Sequence, residues 1–257
     1  MAEVVIVSTK EEAGSIAADA IRALVTATPD AVLGLATGST PLTTWAALGS
    51  SGLDLSRVRG FALDEYVGLP AGHPESYRSV ITREVVEPLG LTPSLVRVPS
   101  DDGGPLSGAG ARYEADIEAA GGVDLQILGI GRTGHIGFNE PGSSLASLTR
   151  VKTLTRETRA DNARYFPSVD DVPTHCITQG LGTILRARHL VLLAFGSAKA
   201  AAVAAALEGP VSASTPGSVV QLHPKVTVIV DEAAGAQLVH ADYYRYAWDN
   251  RFDWEKF

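Results

Sequence analysis

The chain has a single cysteine, Cys176, so no intrachain disulfide can form. That excludes the small disulfide-stapled scaffolds and fits a reducing compartment. Cys176 follows His175, a pairing that nucleophilic catalysis could use, but a lone thiol reads first as a buried or incidental one. Long apolar runs are also missing. Nothing approaches the roughly 18 residues of a membrane span, and the alanine-rich segment 198–207 is broken by Lys199. The opening MAEVVIVSTKEE lacks the apolar centre of a signal peptide. Basic charge is scarce: 21 Lys and Arg face 29 Asp and Glu, a net charge of −8. Such a chain repels phosphate polymers and anionic lipid, so neither nucleic acid nor a membrane is expected as a partner. Metal spacing is absent too. His73, His175, His189, His223 and His240 stand alone, with no H-x-x-x-H and no Cys/His cluster, so neither a metal nor a cofactor is expected. These absences leave a cytoplasmic globular protein, and 257 residues with 45% apolar content can build a substantial core.

What is present is an alternation of short apolar runs with helical periodicity. Strands are expected at 4–8, 31–36, 58–63, 123–130, 190–195 and 226–230, and helices at 10–26, 41–48, 74–86, 111–119 and 198–207. Ile16, Ala20, Ala23 and Leu24 form one apolar stripe on the first helix. Continuously apolar strands separated by helices imply an α/β fold: an open, mostly parallel, doubly wound (Rossmann-like) sheet with helices on both faces. No repeat or linker divides the chain, so one domain over 1–257 is expected, with an excursion between Ser143 and Arg188.

In such sheets ligands lie beyond the carboxyl ends of the strands. Four stretches fall there. The first, GIGRTGHIGFNEP (129–141), fits G-x-G-x-x-G. A dinucleotide turn needs its last glycine to open a helix, yet Gly134 is followed by a run broken by Gly137, Pro141 and Gly142. The stretch reads instead as a polar loop in which His135 and Glu140 can meet, and a carboxylate that orients a histidine makes a competent acid/base. A hydrogen-bonded structural histidine is the plainer alternative. The second, ATGSTP (36–41), is a strand end, a small-residue turn and a helix start. The backbone of 37–40 and the hydroxyls of Thr37, Ser39 and Thr40 could cradle a phosphate, although Walker A spacing is absent. The third, LDEYVGL (63–69), sets Asp64 and Glu65 after a strand, where at most one faces a ligand. The fourth, FGSAKA (195–200), places Lys199 in a first helical turn, where the dipole disfavours a cation unless an anion is near. Each also reads as an ordinary turn or solvated surface.

Taken together and in this order, GLATGSTPLTTW, LDEYVGLPAGHPESY, ILGIGRTGHIGFNEPGSSLASLTRVKTLT, the arginine of DNARYF, FGSAKA and QLHPK resemble the glucosamine-6-phosphate deaminase (glucosamine-6-phosphate isomerase) family over nearly the whole chain. The resemblance implies an isomerase and hydrolase of amino-sugar catabolism. It would convert D-glucosamine 6-phosphate and water to D-fructose 6-phosphate and ammonia. By the same resemblance Asp64 is the base that moves the C2 proton to C1, and His135 with Glu140 opens the ring. Gly38, Ser39, Thr40, Arg164 and Lys199 would hold the substrate phosphate. One position departs: many relatives carry Asp or Asn two residues before the histidine, and this chain has Thr133, which cannot charge-stabilise an imidazolium.

The allosteric branch of the family binds N-acetylglucosamine 6-phosphate between subunits. Positions matching that site are Ser143, Ser144, Arg150, Lys152 and Thr153, with Tyr246 of YYRYAW as a further match. Two hydroxyls and two cations suit a phosphate, and a solvated basic turn is the plain reading. The family spans monomers to hexamers, so the resemblance implies a homo-oligomer, up to a hexamer, activated by that effector. Two other readings compete: a 6-phosphogluconolactonase-like hydrolase, which needs no C2 base and so leaves LDEY and FNEP unexplained, and a sugar-phosphate-sensing binding protein, which normally adds a DNA-binding helical domain.

Overall fold

The computed structural model describes residues 3–100, 104–252 and 255. The chain runs β1 (Glu3–Val7), α1 (Lys10–Ala27), β2 (Val32–Leu35), α2 (Leu42–Gly49), β3 (Arg59–Ala62), β4 (Asp64–Tyr66) and α3 (Tyr77–Ile81). It continues with α4 (Glu87–Leu89), β5 (Val96–Arg97), α5 (Ala109–Ala119), β6 (Leu125–Gly129), β7 (Arg150–Thr153) and α6 (Arg156–Asn162). The remainder is β8 (His175–Thr178), α7 (Leu181–Ile184), β9 (His189–Ala194), α8 (Ala200–Leu207), β10 (Val226–Asp231) and α9 (Ala241–Asp249).

Seven strands form an open sheet in the order β1-β10-β9-β6-β2-β3-β5, with every pairing parallel. This is the doubly wound arrangement that the apolar strands implied. Its inner strands are buried apart from an end residue in β3, β6 and β10, and HLVLLA of β9 is buried at every position, because helices cover both faces of a parallel sheet. Val5, Ile21, Leu33, Leu125, Ile127, Leu192 and Val228 are among the side chains at the centre of that core. α1 starts where Thr9 accepts the backbone N–H of Glu12, satisfying a donor the helix itself cannot.

The helix expected over 74–86 begins at Tyr77 and widens into a π turn at Thr82–Val86 before α4. Pro88 explains the change, since it has no N–H to give to the preceding turn.

The excursion between Ser143 and Arg188 supplies β7 and β8, which join β4 in a second, antiparallel sheet in the order β4-β8-β7. Thr178 of β8 lies across from Asp64 on one side and Arg150 on the other. Beneath this sheet Tyr66, Phe138, Leu154, Phe166, Val172 and Cys176 form a separate apolar cluster. Cys176 is fully buried there and burial pushes its thiol up, so it packs and makes a poor thiolate.

Candidate active site

A cleft of about 430 Å³ opens at the carboxyl ends of β2, β3 and β6, lined by the 37–40 turn, Asp64, Gly131, His135, Arg164 and Lys199. All four stretches singled out after strands reach it, because parallel strands present their carboxyl ends on one side.

Asp64 and Glu65 face opposite ways. Glu65 accepts backbone N–H groups from Tyr66 at 2.7 Å, Tyr77 at 2.8 Å and Arg78 at 2.9 Å. It therefore satisfies the first turn of α3 and does not line the cleft. Asp64 lines the cleft and is only 6% exposed. Burial, and then the neighbouring Glu65 charge, push its carboxyl up to about 8, against a hydrogen bond from the Phe138 backbone that favours the anion.

The loop after β6 owes its shape to glycines. The His135 ring lies so close over Gly131 that a Cβ there would meet Nε2 and Cε1 at 2.2 Å, and Gly134 has φ +79, a conformation other residues resist. His135 Nδ1 is 2.9 Å from Thr133 Oγ1 and 3.3 Å from Glu140 Oε2, which leaves Nε2 for chemistry in the cleft. Thr133 Oγ1 is also 3.5 Å from Glu140 Oε2, so the hydroxyl bridges histidine and carboxylate. Burial raises the Glu140 carboxyl, but its hydrogen bonds to His135, Thr158 and Thr155 outweigh this and hold it down at about 2. Glu140 is thus an anion beside the imidazole at any neutral pH.

At the other end, Gly38 takes φ +86 in the turn that exposes the backbone of Ser39 and Thr40 to the cleft. Lys199 ends the 3-10 turn Ser197–Lys199 that leads into α8. Burial pulls its ammonium below the ordinary value, Asp161 pushes back, and Arg132 and Arg164 repel it. Cations crowded at one end of a cleft, beside exposed backbone N–H groups, can hold a phosphate.

The second group of basic residues is only partly assembled within one chain. Arg150 donates to Asn139 Oδ1 at 2.6 Å and to Ser143 Oγ at 3.4 Å. Among the described residues no carboxylate pairs with it. Lys152 is two positions along the same strand, Thr153 and Ser144 are exposed, and Tyr246 is 67% exposed on α9. That helix packs on β1, at one edge of the large sheet, apart from β7.

Sequence reasoning overlooked α6. Thr158 and Thr155 donate to Glu140 Oε1, the latter at 3.1 Å. Asp161 pairs with Arg132 at 2.7 Å, and Asn162 Nδ2 donates to Tyr66 Oη at 2.9 Å. The one signal available was the capping pattern T-x-x-T at 155–158, with Thr155 accepting the Thr158 N–H.

Comparison with known proteins finds relatives over nearly the whole length of the chain. The chain is 57% identical to a glucosamine-6-phosphate deaminase of Bifidobacterium longum, covering 99% of each. It is 56% identical to one of Pseudarthrobacter chlorophenolicus, covering 98% of this chain and 99% of the relative. Among solved structures, a monomeric glucosamine-6-phosphate deaminase superimposes with a TM-score of 0.88 at 41% identity, over 91% of this chain and 99% of that one. A 6-phosphogluconolactonase from Leishmania guyanensis shares the fold, with a TM-score of 0.72 at 23% identity over 91% and 98%. The family described as glucosamine-6-phosphate isomerases/6-phosphogluconolactonase matches residues 8–229, and the chain belongs to that family.

Proposed function

We propose that the cleft converts D-glucosamine 6-phosphate and water to D-fructose 6-phosphate and ammonia, a step of amino-sugar breakdown. The observation that carries this reading is Asp64, a buried carboxyl that lines the cleft and has no protein cation paired with it among the described residues. Lactone hydrolysis has no use for a base at C2. Proton transfer from C2 to C1 requires one.

The phosphate lies on the Gly38–Thr40 backbone between Arg164 and Lys199. His135 Nε2 takes the proton of the C1 hydroxyl and returns it to the ring oxygen, opening the ring. The Glu140 anion, with Thr133 as bridge, holds Nδ1 and offsets the charge that the imidazole carries in between. This answers the Thr133 departure: the hydroxyl supplies connection, and the charge comes from Glu140. Asp64 then removes the C2 proton and delivers it to C1, while the C1 oxygen takes up one proton of the substrate ammonium. The resulting imine at C2 adds water and releases ammonia. Protein groups alone keep Asp64 largely protonated at neutral pH. The substrate ammonium, bonded to the carbon that loses its proton, is the cation that favours the ionised carboxylate.

Assays for ammonia and fructose 6-phosphate from glucosamine 6-phosphate, run beside hydrolysis of 6-phosphogluconolactone, test the reading. Release of both products is expected; lactone hydrolysis without ammonia would overturn it. Regulation belongs to the same proposal. Arg150, with Ser143 and Lys152, binds the phosphate of N-acetylglucosamine 6-phosphate in a homo-oligomer, and what supports it is a half-buried guanidinium that, among the described residues, bonds to neutral groups only.

A further inference from the structure

α6 touches the catalytic loop at two places. Near its start, Thr155 and Thr158 hold Glu140 Oε1, while Oε2 faces His135 and Thr133. Thr158 is 4% exposed, so its hydroxyl is committed to this carboxylate. Arg132 is gripped from the same helix by Asp161, one turn beyond Thr158, at 2.7 Å and by Glu157, beside Thr158, at 3.5 Å. Thr158 and Asp161 are three apart and so share a helix face. Arg164 follows directly, in the 3-10 turn Ala163–Tyr165 that continues α6. A single short helical segment therefore carries a cation of the phosphate end and the hydroxyls that hold the histidine's partner.

We propose that α6 links the two ends of the cleft, so that an anion at Arg164 and Lys199 sets Glu140 against His135, with Thr158 as the positioning residue. The inference rests on the proposed substrate for its catalytic consequence, but its physical content does not. A helix transmits displacement along its axis because its backbone bonds resist stretching. Drawing Arg164 toward a phosphate moves Thr158, and Glu140 Oε1 follows. Phosphate then contributes to ring opening as well as to binding, which is a use of remote binding energy for the chemical step.

The test compares Thr158→Val, nearly isosteric but without the hydroxyl, with Thr158→Ser, which keeps it. Inorganic phosphate is titrated into full-length protein labelled with 15N-histidine, and the His135 ring resonances, assigned with His135→Gln, are followed. In wild type and Thr158→Ser, phosphate should move the His135 nitrogens. In Thr158→Val, phosphate should bind with similar affinity while the His135 response is lost. With glucosamine 6-phosphate, Thr158→Val should show kcat about tenfold lower at similar KM, the loss of one hydrogen bond to a charged group, with Thr158→Ser near wild type. A valine variant with the wild-type response and kcat would overturn the proposal. So would phosphate that binds wild type without moving His135, a result that needs no variant to fold. Absence of ammonia release in wild type would overturn the proposed reaction and leave the His135 response to decide the linkage.

Discussion

Burying an acid without a cation penalises its charged form, and at Asp64 this has a sign that can be measured. The folded protein holds the carboxyl up to about 8 against an ordinary 3.8, through burial first and Glu65 second. Below 3.8 both folded and unfolded chains keep the proton; between 3.8 and about 8 only the folded chain does. Stability from this group is therefore complete at low pH and is lost as pH rises, at about 1.4 kcal/mol per pH unit. Asp64→Asn removes that slope. Thermal melts of variant and wild type should converge near pH 4 and separate toward pH 8, with the variant the more stable; parallel curves would contradict the burial argument. The same substitution removes the proposed C2 base, so ammonia release should fall by about 10²–10⁴-fold. A protein made more stable and nearly inactive by one atom-sized change is the signature of a strained functional carboxyl.

Glu65 makes the contrasting case at the scale of an element. Two of its three backbone bonds, from Tyr77 and Arg78, tie β4 to the start of α3, and the third comes from Tyr66 of β4 itself. Glu65→Gln loses the charge and turns an amide toward N–H donors, which costs about 1–3 kcal/mol. The melting temperature should drop by several degrees while turnover per folded molecule is kept; lost turnover with an unchanged melt would exchange the roles assigned to the two acids. The phosphate end follows the same logic across two elements. Arg164→Ala and Lys199→Ala should each raise KM about 10–100-fold, as expected for a charge-assisted contact, and unchanged KM in both would move the phosphate elsewhere. Six of the seven strands of the large sheet were legible, the two-residue β5 being too short to show, because stretches such as VLGL, LQILG, HLVLLA and VTVIVD are largely apolar whichever face they present. Legible for the same reason were Asp64, His135 and Lys199, which parallel strands deliver to one side of the sheet. The small sheet was not, since DEY, RVKT and HCIT are short and partly polar, and become strands only by pairing across Thr178. α6, RETRADN, has no apolar stripe, so its hold on Glu140 and Arg132 is set by partners far along the chain.

At the scale of the whole molecule, the small sheet joins the proposed effector residues to the proposed base. Asp64 and Arg150 stand across from the same residue, Thr178, whose hydroxyl also accepts the Phe138 N–H at 3.1 Å. Arg150 further holds Asn139, which in turn donates to the Ile136 and Gln179 carbonyls. An anion that draws Arg150 outward thus pulls on the loop bearing His135 and Glu140. Its influence is bounded by its differential affinity for the two arrangements, and by linkage the substrate must tighten effector binding by the same factor. Sigmoidal kinetics need several such cleft-bearing chains in one assembly, whereas the 41% identical structural relative is a monomeric enzyme. The expected outcome is a homo-oligomer by light scattering, with a sigmoidal glucosamine 6-phosphate curve that N-acetylglucosamine 6-phosphate makes hyperbolic. Arg150→Ala would also free Asn139 and disturb the loop, so Lys152→Ala is the cleaner probe: it should weaken the effector's action and leave kcat at saturating substrate unchanged. A single-chain mass, together with substrate curves that the effector does not move, would remove regulation from the proposal and leave Arg150 as a structural brace for the catalytic loop.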